Sequence, residues 1–184
     1  SRVVSGRELT LAEIRELRDN IPEELEIESF VHGAMCISYS GRCLLSAYMT
    51  GRDANLGACT HPCRWKYYLM EEKRPGEYFP VEENDRGTYI FNSKDLCMIE
   101  YIPEMVAAGI NSFKIEGRMK PALYVAVVAG VYREAIDDYF ADPALYEQKK
   151  AYYKEAISKC SHRQFYTGFY FGRPETEGQL YDGN

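Results

Sequence analysis

Hydrophobic and polar positions run along this chain in two rhythms, one suited to strands and one to helices. Arg2 to Val4 reads as the end of a short strand. Thr10-Leu-Ala-Glu13 has the form of a capping box, and Leu11, Ile14 and Leu17 then mark the apolar stripe of a helix. Leu25 to Val31 predicts a strand that ends at Gly33. Gly51 to Gly87 is irregular, rich in Gly, Asn, Pro and charge, with one hairpin expected around Trp65 to Leu69. Thr88 to Phe91 is strand-like. Ser93 stands as an N-cap before Leu96, Ile99, Ile102 and Val106 at helical spacing, with a stop at Gly109. Ser112 to Ile115 predicts another strand. Pro121 suits a first helical turn, and Val125, Val128, Tyr132, Ile136 and Tyr139 continue at helical spacing. Pro143 marks a break before a last helix through about Lys159. Phe165 to Phe171 is expected as one strand.

Strand, helix, strand, then strand and helix is the alternation of a parallel sheet. The 184 residues suffice for one domain with a real core. A complete eight-stranded βα barrel usually takes about 250 residues, so the chain is either a small open sheet or part of a barrel. The expected class is α/β: a partial βα-barrel, an incomplete TIM-like parallel sheet with helices, plus an irregular cysteine-bearing insertion. Residues 1–142 would form the barrel portion, with the cysteine-rich segment at 33–65. Residues 143–184 would form a helix and a basic aromatic tail.

Composition narrows the function classes. The chain is 46% hydrophobic and 27% charged, ordinary for a globular protein. No apolar run approaches the roughly 20 residues of a membrane span and no signal peptide opens the sequence, so a cytoplasmic protein without membrane contact is expected. A net charge of −6 argues against nucleic-acid binding over the whole surface. Between Lys149 and Arg173, however, Lys149, Lys150, Lys154, Lys159, Arg163 and Arg173 face Glu155 alone, interleaved with Tyr152, Tyr153, Phe165, Tyr166, Phe169, Tyr170 and Phe171. Cations attract phosphate and aromatic faces stack on unpaired bases, so the mixture suits RNA; a solvated helix followed by a hydrophobic strand is the plainer reading.

Residues two apart share a strand face, which sets Glu28, Phe30 and His32 on one side and Ile27 and Val31 on the other. Likewise Lys114 and Glu116 share a face. Charged groups near strand C-termini are where βα folds place active sites. With Arg118 and Lys120 following, a polar pocket formed by Glu28, His32, Lys114, Glu116 and Arg118 is expected, against the alternative of a Glu28–Lys114 salt bridge.

Six cysteines are present, and Cys36, Cys43, Cys59 and Cys63 fall within 28 residues. In a cytosolic chain such clustering points to metal or catalysis rather than disulfides. Structural zinc favours two tight pairs, and only Cys59-x3-Cys63 fits that. The wider Cys36-x6-Cys43 spacing suits an iron–sulfur cage better. Zinc and unliganded core cysteines remain alternatives, Cys97 can replace one ligand, and Cys160 reads as structural. There is no G-x-S-x-G elbow, and a Cys36–His32 nucleophile pair would leave the other thiols unexplained.

Glu28-Ser-Phe30-Val-His-Gly33-Ala-Met-Cys36, continuing through Ser40-Gly41-Arg-Cys43-Leu-Leu-Ser46, resembles the signature of the collagenase-like peptidases of unclassified catalytic type. Arg7-Glu-Leu-Thr-Leu, Cys59-Thr-His-Pro-Cys63-Arg-Trp-Lys, Asn92-Ser-Lys-Asp-Leu, Lys114-Ile-Glu-Gly-Arg-Met-Lys120 and Tyr166-Thr-Gly-Phe agree, so the resemblance covers nearly the whole chain. The family is catalogued as peptidases, with protein substrates. The resemblance also implies RNA or quinone-precursor hydroxylation, and in several members a four-iron (4Fe-4S) cluster on cysteines. The Cys59 to Lys66 stretch and Asn92-Ser-Lys are most similar to the branch that converts the tRNA wobble uridine to 5-hydroxyuridine, with prephenate implicated. Carried over, Cys36, Cys43, Cys59 and Cys63 would be ligands, with Cys97 the alternative. The resemblance further implies a longer N-terminal part that completes a barrel, and a small β domain beyond the tail.

Overall fold

The computed structural model describes residues 1–36, 38–65, 67–69, 72–73, 75–76, 79–80 and 94–172. Two compact units emerge, one from Ser1–Met35 and Lys94–Glu175, the other from Cys36–Ser93 and Thr176–Asn184.

The first unit is mixed α/β. Its order is β1 (Arg2–Val4), α1 (Leu11–Asp19) and β2 (Glu26–Ala34), resuming after the second unit. The second unit holds α2 (Leu45–Thr50) and the antiparallel pair β3 (Tyr68–Leu69) and β4 (Phe79–Pro80). The first unit then continues with β5 (Asp95–Cys97), α3 (Ile102–Ala107), β6 (Ser112–Ile115), α4 (Ala122–Ala141), α5 (Pro143–Ser158) and β7 (Phe165–Tyr166). Strand β2 is the hub. Over Glu28 it is flanked in parallel by β1 and β6; over His32 it has β6 on one edge and antiparallel β5 on the other. β7 lies parallel to β5. The α/β class matches expectation, but β5 breaks the purely parallel order.

The local signals explain most elements. Thr10 and Glu13 form the expected capping box, each bonding the other's backbone N–H. Helix α3 stops at Gly109, whose φ of +85° is left-handed and where a Cβ would stand 2.6 Å from Arg18 Cγ. Asp142 caps α5 by accepting from the Ala144 N–H at 2.9 Å, ahead of Pro143 in the first turn.

Three expectations change. Leu96 and Cys97, read as the start of a helix, lie on strand β5; a 3-10 turn over Ile99–Tyr101 intervenes before α3. The tail is not one long strand: only Phe165–Tyr166 pairs, and turns follow. The hairpin expected at Trp65 to Leu69 exists through β3 alone, its partner being the distant β4. The Thr88–Phe91 strand and the Ser93 cap lie outside the described residues.

The core of the first unit gathers Ile14 from α1, Ile27 and Val31 from β2, Leu96 from β5, Ile102 and Met105 from α3, and Val128 and Tyr132 from α4. Buried tyrosines tie α4 to the sheet and α5 to the turn that leads into α3. Tyr132 Oη donates to the Val31 carbonyl at 2.8 Å and accepts from the Met98 N–H at 3.1 Å; Tyr146 Oη does the same between Ile99 and Ile102. Each hydroxyl bridges a backbone donor and acceptor inside the core, and the Met98 N–H also donates directly to the Val31 carbonyl at 2.9 Å. No helix among the described residues is long and apolar enough to cross a membrane.

Candidate functional site

On the sheet, the Glu28 carboxylate accepts from Ser112 Oγ at 2.8 Å and meets Arg2 at 3.2 Å and Lys114 Nζ at 3.4 Å. The Ser112 hydrogen bond, then Lys114 and Arg2, hold its pKa below the ordinary range against a smaller opposing effect of burial. The Glu28–Lys114 salt bridge weighed as the alternative is therefore present, part-exposed rather than buried. Next to it, Phe30 lies under the Arg7 guanidinium, 3.9 Å from its centroid, with Lys114 at 5.2 Å. Ser112 shares the Lys114 face by strand alternation and was legible on that ground; Arg2 and Arg7 carried no signal.

His32 does not join this cluster. The β2–β6 register shifts between Phe30 and His32, so two β2 residues oppose one step of β6. His32 is 1% exposed, ringed by Tyr124, Tyr132 and Phe165 at centroid distances of 6.1, 5.6 and 5.4 Å. Neither ring nitrogen has a hydrogen-bond partner among the described residues. Burial pushes its pKa down to about 4; Asp95 opposes this, and His162 and Lys120 add to it. The imidazole is neutral at physiological pH. Asp95, which sequence reasoning missed, is itself buried and accepts from the Arg163 N–H at 3.1 Å.

Glu116 and Arg118 follow β6. Glu116 donates its N–H to the His32 carbonyl at 2.9 Å, and its carboxylate accepts from the Arg118 N–H at 2.9 Å. The Arg118 side chain is exposed. Gly33 makes this approach possible: its φ is +107°, and a Cβ there would meet the Glu116 carbonyl oxygen at 2.3 Å. Thus Glu28 and Lys114 meet, Glu116 and Arg118 meet, and His32 stands apart.

The second unit carries four of the thiols. Helix α2 is held by hydroxyls: Ser46 Oγ accepts from the Thr60 N–H at 3.1 Å and lies 3.3 Å from Thr60 Oγ1, while Thr50 Oγ1 donates to the Ser46 carbonyl at 2.8 Å. Cys43 stands just before α2, and Cys63 sits on a 3-10 turn (Pro62–Arg64) entered through His61 at φ 54°. The His61 N–H donates to Cys59 Sγ at 3.3 Å. Cys36, Cys43, Cys59 and Cys63 are in no disulfide and are part-buried. The Cys63 thiol is raised by burial, against Arg64, and further by Cys36, Cys59 and Cys43, so the four sulfurs are electrostatic neighbours. The donor type fits a soft-metal centre, although among the described residues no three His, Cys, Asp or Glu converge closely enough to hold an ion. Cys97 belongs to the first unit, buried on β5, where burial raises its thiol to about 11.

The basic tail keeps little charge to itself. Lys149 contacts Glu134 and Asp138, Lys150 contacts Glu147 at 2.8 Å, Lys154 contacts Glu100 at 2.7 Å, and Lys159 contacts Glu155 at 3.2 Å. Tyr153 and Tyr170 are buried. This is the solvated helix of the plainer reading, its lysines engaged with carboxylates.

A family model described as peptidase family U32 matches residues 1–180. A Bacillus subtilis relative named tRNA hydroxylation protein P1 is 46% identical over 180 residues, 98% of this chain and 42% of its own length. A Methanocaldococcus jannaschii relative named an uncharacterized protease is 49% identical over 173 residues, 92% of this chain and 41% of its own length. An Escherichia coli relative named tRNA hydroxylation protein P is 38% identical, covering 99% of this chain and 48% of its own length. The chain thus spans less than half of each of these relatives. No solved structure matches.

Proposed function

The chain belongs to peptidase family U32, and on that premise we propose that it is the thiol-bearing part of an enzyme that hydroxylates tRNA at the wobble uridine. Cys36, Cys43, Cys59 and Cys63 are its ligands for an iron–sulfur cluster of the four-iron type. The observation that carries the reading is the make-up of the second unit. Apart from Pro62, none of its described aliphatic or aromatic side chains is buried, yet it gathers four part-buried thiols, and the Cys63 thiol is raised by burial and by the other three. A unit whose described residues form no hydrophobic core needs another source of cohesion, and neighbouring thiolates need a cation; a metal centre supplies both. The names of the Bacillus and Escherichia relatives supply the substrate.

Bound there, the cluster would supply one-electron transfer. The chain's own residues do the rest. Cys97, buried in the sheet, is left out of the ligand set. Lys114, Glu116 and Arg118 are the polar groups offered to substrate, with the Glu28 carboxylate fixing Lys114. His32 stays neutral and holds the end of β2 among aromatic rings. Strands β1, β2 and β6 are read as an arc of a βα barrel, each followed in sequence by a helix of the same unit (α1, α3 and α4).

Anaerobically purified full-length protein should contain iron and acid-labile sulfide, with a broad absorbance near 400 nm lost in Cys59→Ala. Cells lacking the protein should lose 5-hydroxyuridine from tRNA, with the wild type restoring it and Cys59→Ala failing to. Iron-free protein whose deletion leaves tRNA nucleosides unchanged would overturn the proposal. Stoichiometric zinc without turnover would select a thiol-stabilised binding domain instead.

A peptidase reading draws on the relative named as a protease. Against it, the His32 ring has no hydrogen-bond partner among the described residues, and the Ser46 hydroxyl is tied to Thr60.

A further inference from the structure

We propose that the exposed face of α2 and its flanking turns, in the cysteine-bearing unit, is the surface on which unpaired RNA nucleotides lie. The inference deepens the tRNA reading and rests on it.

The first observation is where apolar surface is left uncovered. Of the sixteen large hydrophobic side chains exposed among the described residues, seven fall in the thirty positions from Tyr39 to Tyr68. Four of these are aromatic: Tyr39, Tyr48, Trp65 and Tyr68. Tyr48 is 86% exposed and Tyr39 68%. Single exposed apolar residues are ordinary, but such a concentration marks an interaction site.

The second observation is the orientation of α2. Ser46 and Thr50, one turn apart, are turned to Thr60 by their hydroxyl contacts. Leu44 and Tyr48, also one turn apart, occupy the opposite side and are exposed. The polar face of this helix is thus the one packed inward, and the apolar face is presented to solvent. Folding the unit alone gives no reason for that inversion.

Charge decides the occupant. From Ser38 to Trp65 the charged residues are Arg42, Arg52 and Arg64 against Asp53 alone, in a chain of net charge −6. The Asp53 carboxylate is engaged, accepting from the Asn55 N–H at 2.8 Å. Arg42 and Arg52 are exposed and pair with no carboxylate among the described residues. The lysines of α5, by contrast, all meet acids. Flat aromatic faces beside unpaired guanidinium groups match stacked bases and phosphates, the usual means of holding single-stranded RNA. A second copy of this acidic chain offers no such phosphates.

The test uses the full-length protein and fluorescently labelled tRNA, followed by anisotropy across a salt series. The double variant Arg42→Glu/Arg52→Glu should lose at least tenfold in affinity and show a salt slope smaller by about two. Tyr48→Ala should lose about tenfold, and single-stranded RNA should compete better than a duplex of equal length. Arg133→Glu, one such charge reversal placed on the first unit, should bind as the wild type does. Because Arg42, Arg52 and Tyr48 are exposed, unchanged thermal unfolding is expected in the variants at these three positions. If the wild type binds and hydroxylates tRNA while these variants bind equally well, the surface assignment is overturned; a change in sedimentation of the variants would then give the face to a protein partner or a second copy. If the wild type neither binds nor modifies tRNA, it is the functional reading itself that fails.

Discussion

The two units of this chain are held together by different physics. In the first, aliphatic and aromatic side chains from β2, α3 and α4 are removed from water, and tyrosine hydroxyls bond backbone groups where α4 meets the sheet and where α5 meets the turn before α3. In the second, the described contacts are hydroxyl pairs, turns and part-buried thiols, while most of the described large apolar groups are exposed. The first carries its own source of stability. The second lacks one among the described residues, so its cohesion is expected to come from what it binds. The contrast runs along the chain: one unit is built around a buried core, and the other gathers thiols and exposed aromatic groups.

The largest blow to that division is expected at Gly33. In Gly33→Ala a Cβ meets the Glu116 carbonyl at 2.3 Å on a backbone at φ +107°, at a cost of about 4 kcal/mol or more. Urea unfolding should show the first unit collapsing; a loss under about 1 kcal/mol would mean that the β2–β6 approach is softer than described.

Acid should act next, again on the first unit. The unfolded chain protonates His32 near pH 6.5, whereas the folded chain refuses the proton until about pH 4. Stability is therefore complete above about pH 6.5 and falls as pH drops toward 4, by on the order of 3 kcal/mol. His32→Phe should flatten that slope when unfolding midpoints are compared at pH 7 and pH 4.5. Equal slopes in the two proteins would remove His32 from the account.

The smallest effect on the frame should come from the thiol unit. Cys63→Ser is expected to shift first-unit unfolding by less than about 0.5 kcal/mol, since none of that unit's buried contacts involve it. In the same variant, limited proteolysis should open cleavage sites within residues 36–93. Joint unfolding of both units would break the comparison.

Local signals made much of the frame legible. The Thr10–Glu13 capping box, the Gly109 stop, and the breaks at Pro121 and Pro143 act through nearest-neighbour geometry, and the elements they bound are where the sequence pointed. Strand β5 was misread because Leu96, Ile99, Ile102 and Val106 fall at helical spacing. What makes Leu96 a strand residue is pairing with Gly33 and Tyr166, contacts remote in sequence. His32 was placed with Glu28 by simple alternation, which the register shift before it defeats. That Cys36, Cys43, Cys59 and Cys63 share one unit follows from their nearness in sequence. The inversion of α2 was not, because nothing local reveals that Ser46 and Thr50 have Thr60 to face.

The pairing of Gly33 with Leu96 and of Ala34 with Asp95 has a consequence for how such chains diversify. It staples both mouths of the inserted segment to one another, so the sheet meets the same two anchor points whatever lies between them. Closure entropy rises only about 0.6 kcal/mol for each doubling of loop length. Lengthening, trimming or redecorating the insert should therefore leave the frame almost indifferent, making this seam a natural socket for exchanging chemistry on an unchanged chassis.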